Sequence, residues 1–223
     1  MTQVLAASSR ECRDTVSSVA TAMATVLRAD VRTVEVDLTV EDHAAALLDA
    51  LERPETAVGV LLRDAPSWRI ASHSSKPIVV VPPGFVAVHG PAISRVLLPL
   101  DGSAEAAAAV GDTMRLFADA GIELVILHVF DEATTPLFWD QAAHARQGWE
   151  DEFRIRCSTP RDIRLELRHG VPGEHVVHVA VSEGADLIAL GWSQHLDAGR
   201  ARTVRATVAH ADMPVMLVPL AFP

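Results

Sequence analysis

Cysteine is nearly absent: Cys12 and Cys157 are the only two in 223 residues, and they lack the paired spacing of a metal site or a disulfide framework. Two bystander or buried thiols in a reducing, cytoplasmic compartment are the expectation. Basic charge is also short. Nineteen Lys and Arg face 29 Asp and Glu, for a net charge of −10. Nonspecific nucleic-acid binding needs clustered positive charge, so no nucleic-acid partner is expected. No apolar run approaches the ~20 residues that span a bilayer, so no membrane segment is predicted. The opening MTQVLAASSRECRD has no basic segment followed by an apolar one and does not read as a signal peptide. These absences together predict a soluble cytoplasmic protein.

Hydrophobic residues make up 49% of the chain, enough for a substantial core. Short apolar runs alternate with helical patterns from the start. VLAAS (4–8) reads as a strand, and 9–27 carries Val16, Val19, Ala20 and Met23 at helical spacing. VRTVEVDL (31–38) is rich in β-branched residues and reads as a strand. A helix follows over VEDHAAALLDALE, with Thr39 and Asp42 as a capping pair. AVGVLL (57–62) and KPIVVVP (76–82) are the next two strands, joined by RDAPSWRIASHSS. PGFVAVHGPA, bounded by proline and glycine, reads as a linker.

Beyond it the pattern repeats. KPIVVVP is matched by MPVMLVP, and AVGVLL by DLIALG. The second copy opens with SRVLLPLDGS, a strand whose Ser103 caps a helix over 104–118. Strand IELVILHVF (122–130), a helix over 136–157, strand DIRLELRHG and a helix beginning near Pro172 follow. DLIALGW and MPVMLVP complete it, with a helix between them carrying Val204, Val208 and Ala211. The second copy thus has five strands and the first four, with one strand–helix segment missing. Strands alternating with helices predict an α/β fold of parallel sheets with right-handed crossovers. The domains are 1–83, a linker at 84–92, and 93–223.

VLLPLDGS, VILHVFDE, HGVPGEHVVHVAVSEGADLIALGW and HADMPVMLVP occur in that order across 94–219. Together they resemble the universal stress protein domain over its whole length, and the first half resembles a shortened, diverged copy. The resemblance implies two tandem open parallel sheets with flanking helices, in strand order 3-2-1-4-5 in the second copy. It implies pairing through the last strand of each half, as a homodimer or as a pseudo-dimer within one chain. It also implies an ATP site. Carried over residue by residue, Asp101 would contact the adenosine moiety and the Val129 backbone would hold adenine. The family's phosphate loop, G-x2-G-x9-G-S/T, starts at Gly191. Its second glycine falls on Gln194, and its last pair falls on Val204-Arg205, or near Ala201-Arg202 in a shortened register. Close backbone approach to phosphate favours glycine at such positions, so the usual ATP mode is not expected. Gly199, Arg200, Arg202 and Arg205 read as a solvated basic loop or, as the alternative, as a substitute anion site at a helix N-terminus. In the first half Leu62 stands in the place of Gly191 and SSREC replaces LDGS, so no nucleotide is expected there.

Weaker patterns have plainer readings. His169, His175 and His178 with Glu174 suggest a metal, but surface histidines account for them. Ser103 with Asp101 and His128 suggests a hydrolase, but there is no G-x-S-x-G elbow, and a helix cap accounts for the serine. Trp139 and Trp149 are expected as core or interface anchors. The expectation is a non-catalytic stress-response module with an unidentified regulatory protein partner, a degenerate ATP site and no bound cofactor. The alternative is a nucleotide-responsive switch that binds ATP or AMP and hydrolyses slowly.

Overall fold

Buried, uninterrupted apolar strands joined by amphipathic helices build the molecule, as the sequence pattern requires. A computed structural model describes residues 2–36, 41–87, 92–132, 134–136, 143–194 and 200–220. In the first half, β1 (Gln3–Ser8) leads through a 3-10 turn into α1 (Arg13–Leu27), which buries Val16, Val19, Ala20 and Met23. Then come β2 (Asp30–Glu35), α2 (Glu41–Leu51), β3 (Thr56–Leu62), α3 (Ala65–His73) and β4 (Ile78–Val81). The second half runs β5 (Arg95–Pro99), α4 (Ala104–Asp119), β6 (Glu123–Phe130), α5 (Ala143–Arg156), β7 (Arg164–His169), α6 (Pro172–Glu183), β8 (Leu187–Trp192), α7 (Arg200–His210) and β9 (Val215–Pro219).

The nine strands of the described residues form one sheet in the order β2-β1-β3-β4-β9-β8-β5-β6-β7. The second half has the expected 3-2-1-4-5 order, and among the described residues of the first half no strand lies outside β2. The two expected sheets are therefore joined edge to edge. Every pairing is parallel except β4 with β9, which is antiparallel and brings Val79 opposite Met216. These two residues hold the same place, fourth in KPIVVVP and fourth in MPVMLVP. A local two-fold axis therefore passes through that pair, the self-complementary geometry of an isologous contact.

Helices cover both faces. Val16 and Met23 of α1, Val110 and Phe117 of α4 and Phe153 of α5 fill one core layer. Leu47 and Leu51 of α2, Ile70 of α3, Val176 of α6 and Val208 of α7 fill the other. Among the described residues no helix is long and apolar enough to cross a membrane.

Three local features depart from the sequence expectation or extend it. Helix α3 was not anticipated in RDAPSWRIASHSS. Pro66 sits in its first turn, where no intrahelical N–H is needed, and Asp64 accepts from the Ser67 N–H at 2.8 Å. The helix expected over 136–157 is described as α5, and its Trp139 lies outside the described residues, as does the Thr39 half of the capping pair. Between β4 and β5 the described residues have no regular structure, and Phe85 packs against both core layers.

Candidate functional site

Strand β5 has β6 on one side and β8 on the other, so the chain reverses its direction of winding there. Ligands in open parallel sheets bind at that switch point, beyond the carboxyl ends of the strands. A crevice of about 130 Å³ lies there, with Pro99 at the end of β5 and Asp101 just after it, Leu127 and Val129 on β6, and Leu190 and Gly191 on β8 among its walls. Helix α6 adds Pro172 and Val176, and α7 adds Thr203 and Val204. Asp101, Val129 and Gly191, far apart in the chain, are thus brought together.

The floor is built by ordinary capping chemistry. Asp101 Oδ1 accepts from the Ser103 N–H at 2.9 Å and from its hydroxyl at 2.7 Å. Ser103 Oγ in turn accepts from the Ala106 N–H at 3.1 Å, the cap predicted for α4. Gly102 between them has φ 83° and lies over the rings of His128 and Phe153. His128 is buried on the opposite face of β6 from Val129, with ring centroids of Phe130, Trp149 and Phe153 at 4.6, 5.0 and 5.2 Å. Burial pushes its pKa below the ordinary imidazole value, more than the Leu100 carbonyl and Asp101 can offset. The neutral ring donates from Nδ1 to Leu100 O, 2.9 Å away, and holds the residue before Asp101 in place. His128 is a structural support, as expected, and Trp149 is part of its aromatic packing.

As the start of the family's phosphate loop, Gly191 would be expected past the end of its strand. It lies within β8 instead, paired to Val218, and its φ is not positive. A methyl group there would meet Val110 Cγ1 at 3.4 Å, Leu220 Cδ2 at 3.5 Å and Ala106 O at 3.6 Å, close to ordinary van der Waals separation. Gln194 has φ 60°, a left-handed backbone rare outside glycine. Its side-chain Nε2 donates to Ser74 O at 2.7 Å and Ala71 O at 3.2 Å, carbonyls at the end of α3 in the other half.

The expected arginine substitute is not assembled in the crevice by the described residues. Gly199 lies outside them, and for Arg200 only the backbone, at the start of α7, is described. Arg202 is exposed and lines an adjoining open groove of about 1190 Å³, with Asp131, Glu132, His169, His178 and His210 among the other walls. Arg205 is exposed on α7. No three His, Cys, Asp or Glu side chains among the described residues are placed to hold a metal. A third hollow, about 380 Å³ and mostly apolar, opens at the opposite end of the strands between α1, residues 85–87 and the start of β9.

Sequence reasoning identified Gln194 as a departure from the glycine pattern but did not find its partner. It missed Arg63 altogether. Arg63 follows β3, and its Nη1 donates at 2.8 Å to both Val208 O and Ala211 O at the end of α7.

A mostly parallel sheet covered by helices on both faces, with a crevice at its switch point, is the doubly wound α/β architecture. The family model of the universal stress protein family matches residues 92–219, more than half of the chain, and the chain belongs to that family. Among solved structures, a universal stress protein from Archaeoglobus fulgidus is similar over 98% of this chain and 98% of its own, at 14% identity and a TM-score of 0.71. A putative universal stress protein of Pseudomonas aeruginosa is similar over 97% of this chain and 92% of its own, at 12% identity and a TM-score of 0.65. A functionally unknown protein of the same species covers 98% of this chain and 92% of its own, at 10% identity and a TM-score of 0.61. At these identities the likeness is one of fold, and it runs through both halves. No curated protein matches the chain in sequence.

Proposed function

We propose that this chain is a non-catalytic regulatory module of a cytoplasmic stress response, acting through a protein partner, with a degenerate nucleotide site and no bound cofactor. The observation that carries this reading is Gln194. A phosphate-cradling turn needs a left-handed residue at that point with nothing beyond the backbone in the way. Position 194 keeps the left-handed φ of 60° but extends a side chain that is tied to Ala71 and Ser74. The crevice volume, about 130 Å³, agrees with this. Small-molecule sites start at about 300 Å³. Among the described residues, the tied Gln194 side chain and the small crevice both count against a triphosphate. A non-catalytic role is supported by Ser103 and His128, the one capping α4 and the other bonded to Leu100 O amid aromatic rings.

Each backbone amide that no longer donates to a phosphate oxygen forfeits about 1.5–3 kcal/mol. Two such amides weaken binding by roughly 3 kcal/mol or more, over a hundredfold. Calorimetry with Mg-ATP is expected to show a Kd weaker than about 100 μM, or no heat at all, and no hydrolysis. The convergence of Asp101, Val129 and Gly191 favours the second reading, a nucleotide switch. Micromolar ATP binding abolished by Asp101→Ala would establish that switch and overturn the degenerate site.

A further inference from the structure

The hollow at the far end of the strands from the crevice is built by both halves of the chain. Because β4 and β9 are antiparallel, the residues after β4 meet the starts of β8 and β9 there. Val19 and Ala22 of α1 and Phe85 after β4 form one side. Val181 of α6, Leu187 at the start of β8 and Met213 before β9 form the other. Its volume, about 380 Å³, falls within the range of roughly 300–1,000 Å³ for small-molecule sites, which the switch-point crevice does not reach. Junctions between structural units are also where such sites concentrate.

The walls also define the chemistry of an occupant. Five large apolar side chains stay exposed among the described residues, and two of them, Val86 and Val181, stand at this hollow. Single exposed valines are ordinary, but two at the rim of one apolar concavity mark a surface that a ligand would cover. The charge is of one sign. Asp186 and Asp212 are in the walls, and no Lys, Arg or His among the described residues is. Asp186 is fixed in place, its Oδ2 accepting from the Ser94 N–H at 2.8 Å, the Ser94 hydroxyl at 2.7 Å and the Arg95 N–H at 3.0 Å. Asp212 is exposed and has no hydrogen-bond or ion-pair partner among the described residues. Helix α6 ends in the same wall at Gly184, and the carboxyl end of a helix carries partial negative charge. The Arg63 guanidinium, whose Nη1 bonds the Val208 and Ala211 carbonyls, is not in the walls. We propose that this hollow binds a small molecule with an apolar body and an ammonium group. The body lies among Val19, Val86, Val181 and Met213, and the ammonium faces Asp186 and Asp212. A carboxylic acid of the same shape is repelled. Since the walls come from both halves, an occupant stabilises their docking by mass action. This site is separate from the switch-point crevice and does not depend on how that crevice treats nucleotides.

Three probes of one shape test the site: 4-phenylbutylamine, 4-phenylbutanol and 4-phenylbutyrate, each titrated into the full chain near neutral pH and followed by calorimetry and amide NMR shifts. The amine is expected to bind most tightly and the acid at least about fivefold more weakly than the amine, from a lost attraction and a gained repulsion at exposed carboxylates. Asp212→Asn is expected to cut the preference for amine over alcohol about threefold. Val181→Lys, at an exposed position where folding tolerates change, is expected to weaken the amine at least about tenfold, through repulsion and lost apolar contact. Val171→Lys, the same exchange at an exposed valine by the other end of α6, is the control and is expected to change nothing. Ser18→Trp, which fills the hollow from α1, is expected to abolish binding of all three probes. The absence of saturable amine binding overturns the site, and so does an acid that binds as tightly as the amine. Equal losses in Val181→Lys and Val171→Lys, or amine binding that survives both Val181→Lys and Ser18→Trp, place the probe elsewhere and overturn it too.

Discussion

His128 shows how a single buried side chain sets a condition on stability. Burial in the Phe130, Trp149 and Phe153 cluster is the largest cause of its lowered pKa; the Leu100 carbonyl, Asp101 and Asp131 pull the other way, and Arg156 adds to the lowering. The folded pKa lies below the unfolded one, about 6.5. Between the two values the unfolded chain binds more protons than the folded chain, so stability rises with pH through that window. The contribution is full above about pH 6.5 and is lost as pH falls through the folded pKa. Thermal unfolding from about pH 5 to 7.5 should therefore show a falling Tm on the acid side of that window. The fall should be shallower in His128→Phe, which has no imidazole to protonate. An identical pH slope in the two proteins would remove His128 as its source. Gln194, at the same scale, shows what residue identity can and cannot convey. Its mismatch with the glycine pattern is readable in the chain, but its two acceptors, Ala71 and Ser74, lie in the other half.

Among the elements, β4 and β9 carry the most consequence. Both are buried along IVVV and VMLV and, unpaired, would each present a row of free N–H and C=O groups. They cover one another within the chain, so damage to them should appear as reduced stability. Val80, 5% exposed and paired with Val215, sits in the core layer with Ile70 and Leu217. Val80→Asp places a carboxylate there without a partner and should cost about 3 kcal/mol or more. Val86→Asp, at a site 79% exposed, should cost little. Urea unfolding of the two variants checks the difference, and comparable midpoints would contradict the burial of β4. Apolar runs made these strands legible at once. Helix α3 was not read from RDAPSWRIASHSS, although proline in a first turn and a side-chain cap from Asp64 are what start it.

At the scale of the whole molecule, the pairing of β4 with β9 leaves β2 and β7 as the edges of the sheet. Both are charged. β2 is mostly exposed and reads DVRTVE, and β7 carries Arg164, Glu166 and Arg168 in ion pairs of 2.5 and 2.8 Å. Charged edges resist strand addition, so the full chain is expected to be a monomer through its sheet. Residues 93–223 alone would expose β9, whose antiparallel pairing with β4 is already nearly self-complementary. That fragment is expected to dimerise, and 1–83 alone to fold poorly, since small units bury a lower fraction of their surface. Light scattering of the full chain and of the fragment gives the test: a monomeric 93–223 would mean that β9 does not seek a second copy of itself.

The strand order of the second half was implied by the family resemblance; the sequence by itself determined the alternation of strands and helices, the internal repeat and the absence of the phosphate-loop glycines. Those features depend on local periodicity and on residue type, both of which survive without tertiary packing. It left two ways to cover the last strands, within one chain or between two, and only the folded chain chose, by bringing Val79 opposite Met216. The crevice size, the groove that receives Arg202 and the acceptors of Gln194 and Arg63 were likewise decided by tertiary structure. The physical reason is that a side chain's partner depends on which carbonyl the two-fold packing of the halves brings within about 3 Å, and spacing along the chain carries no record of that distance.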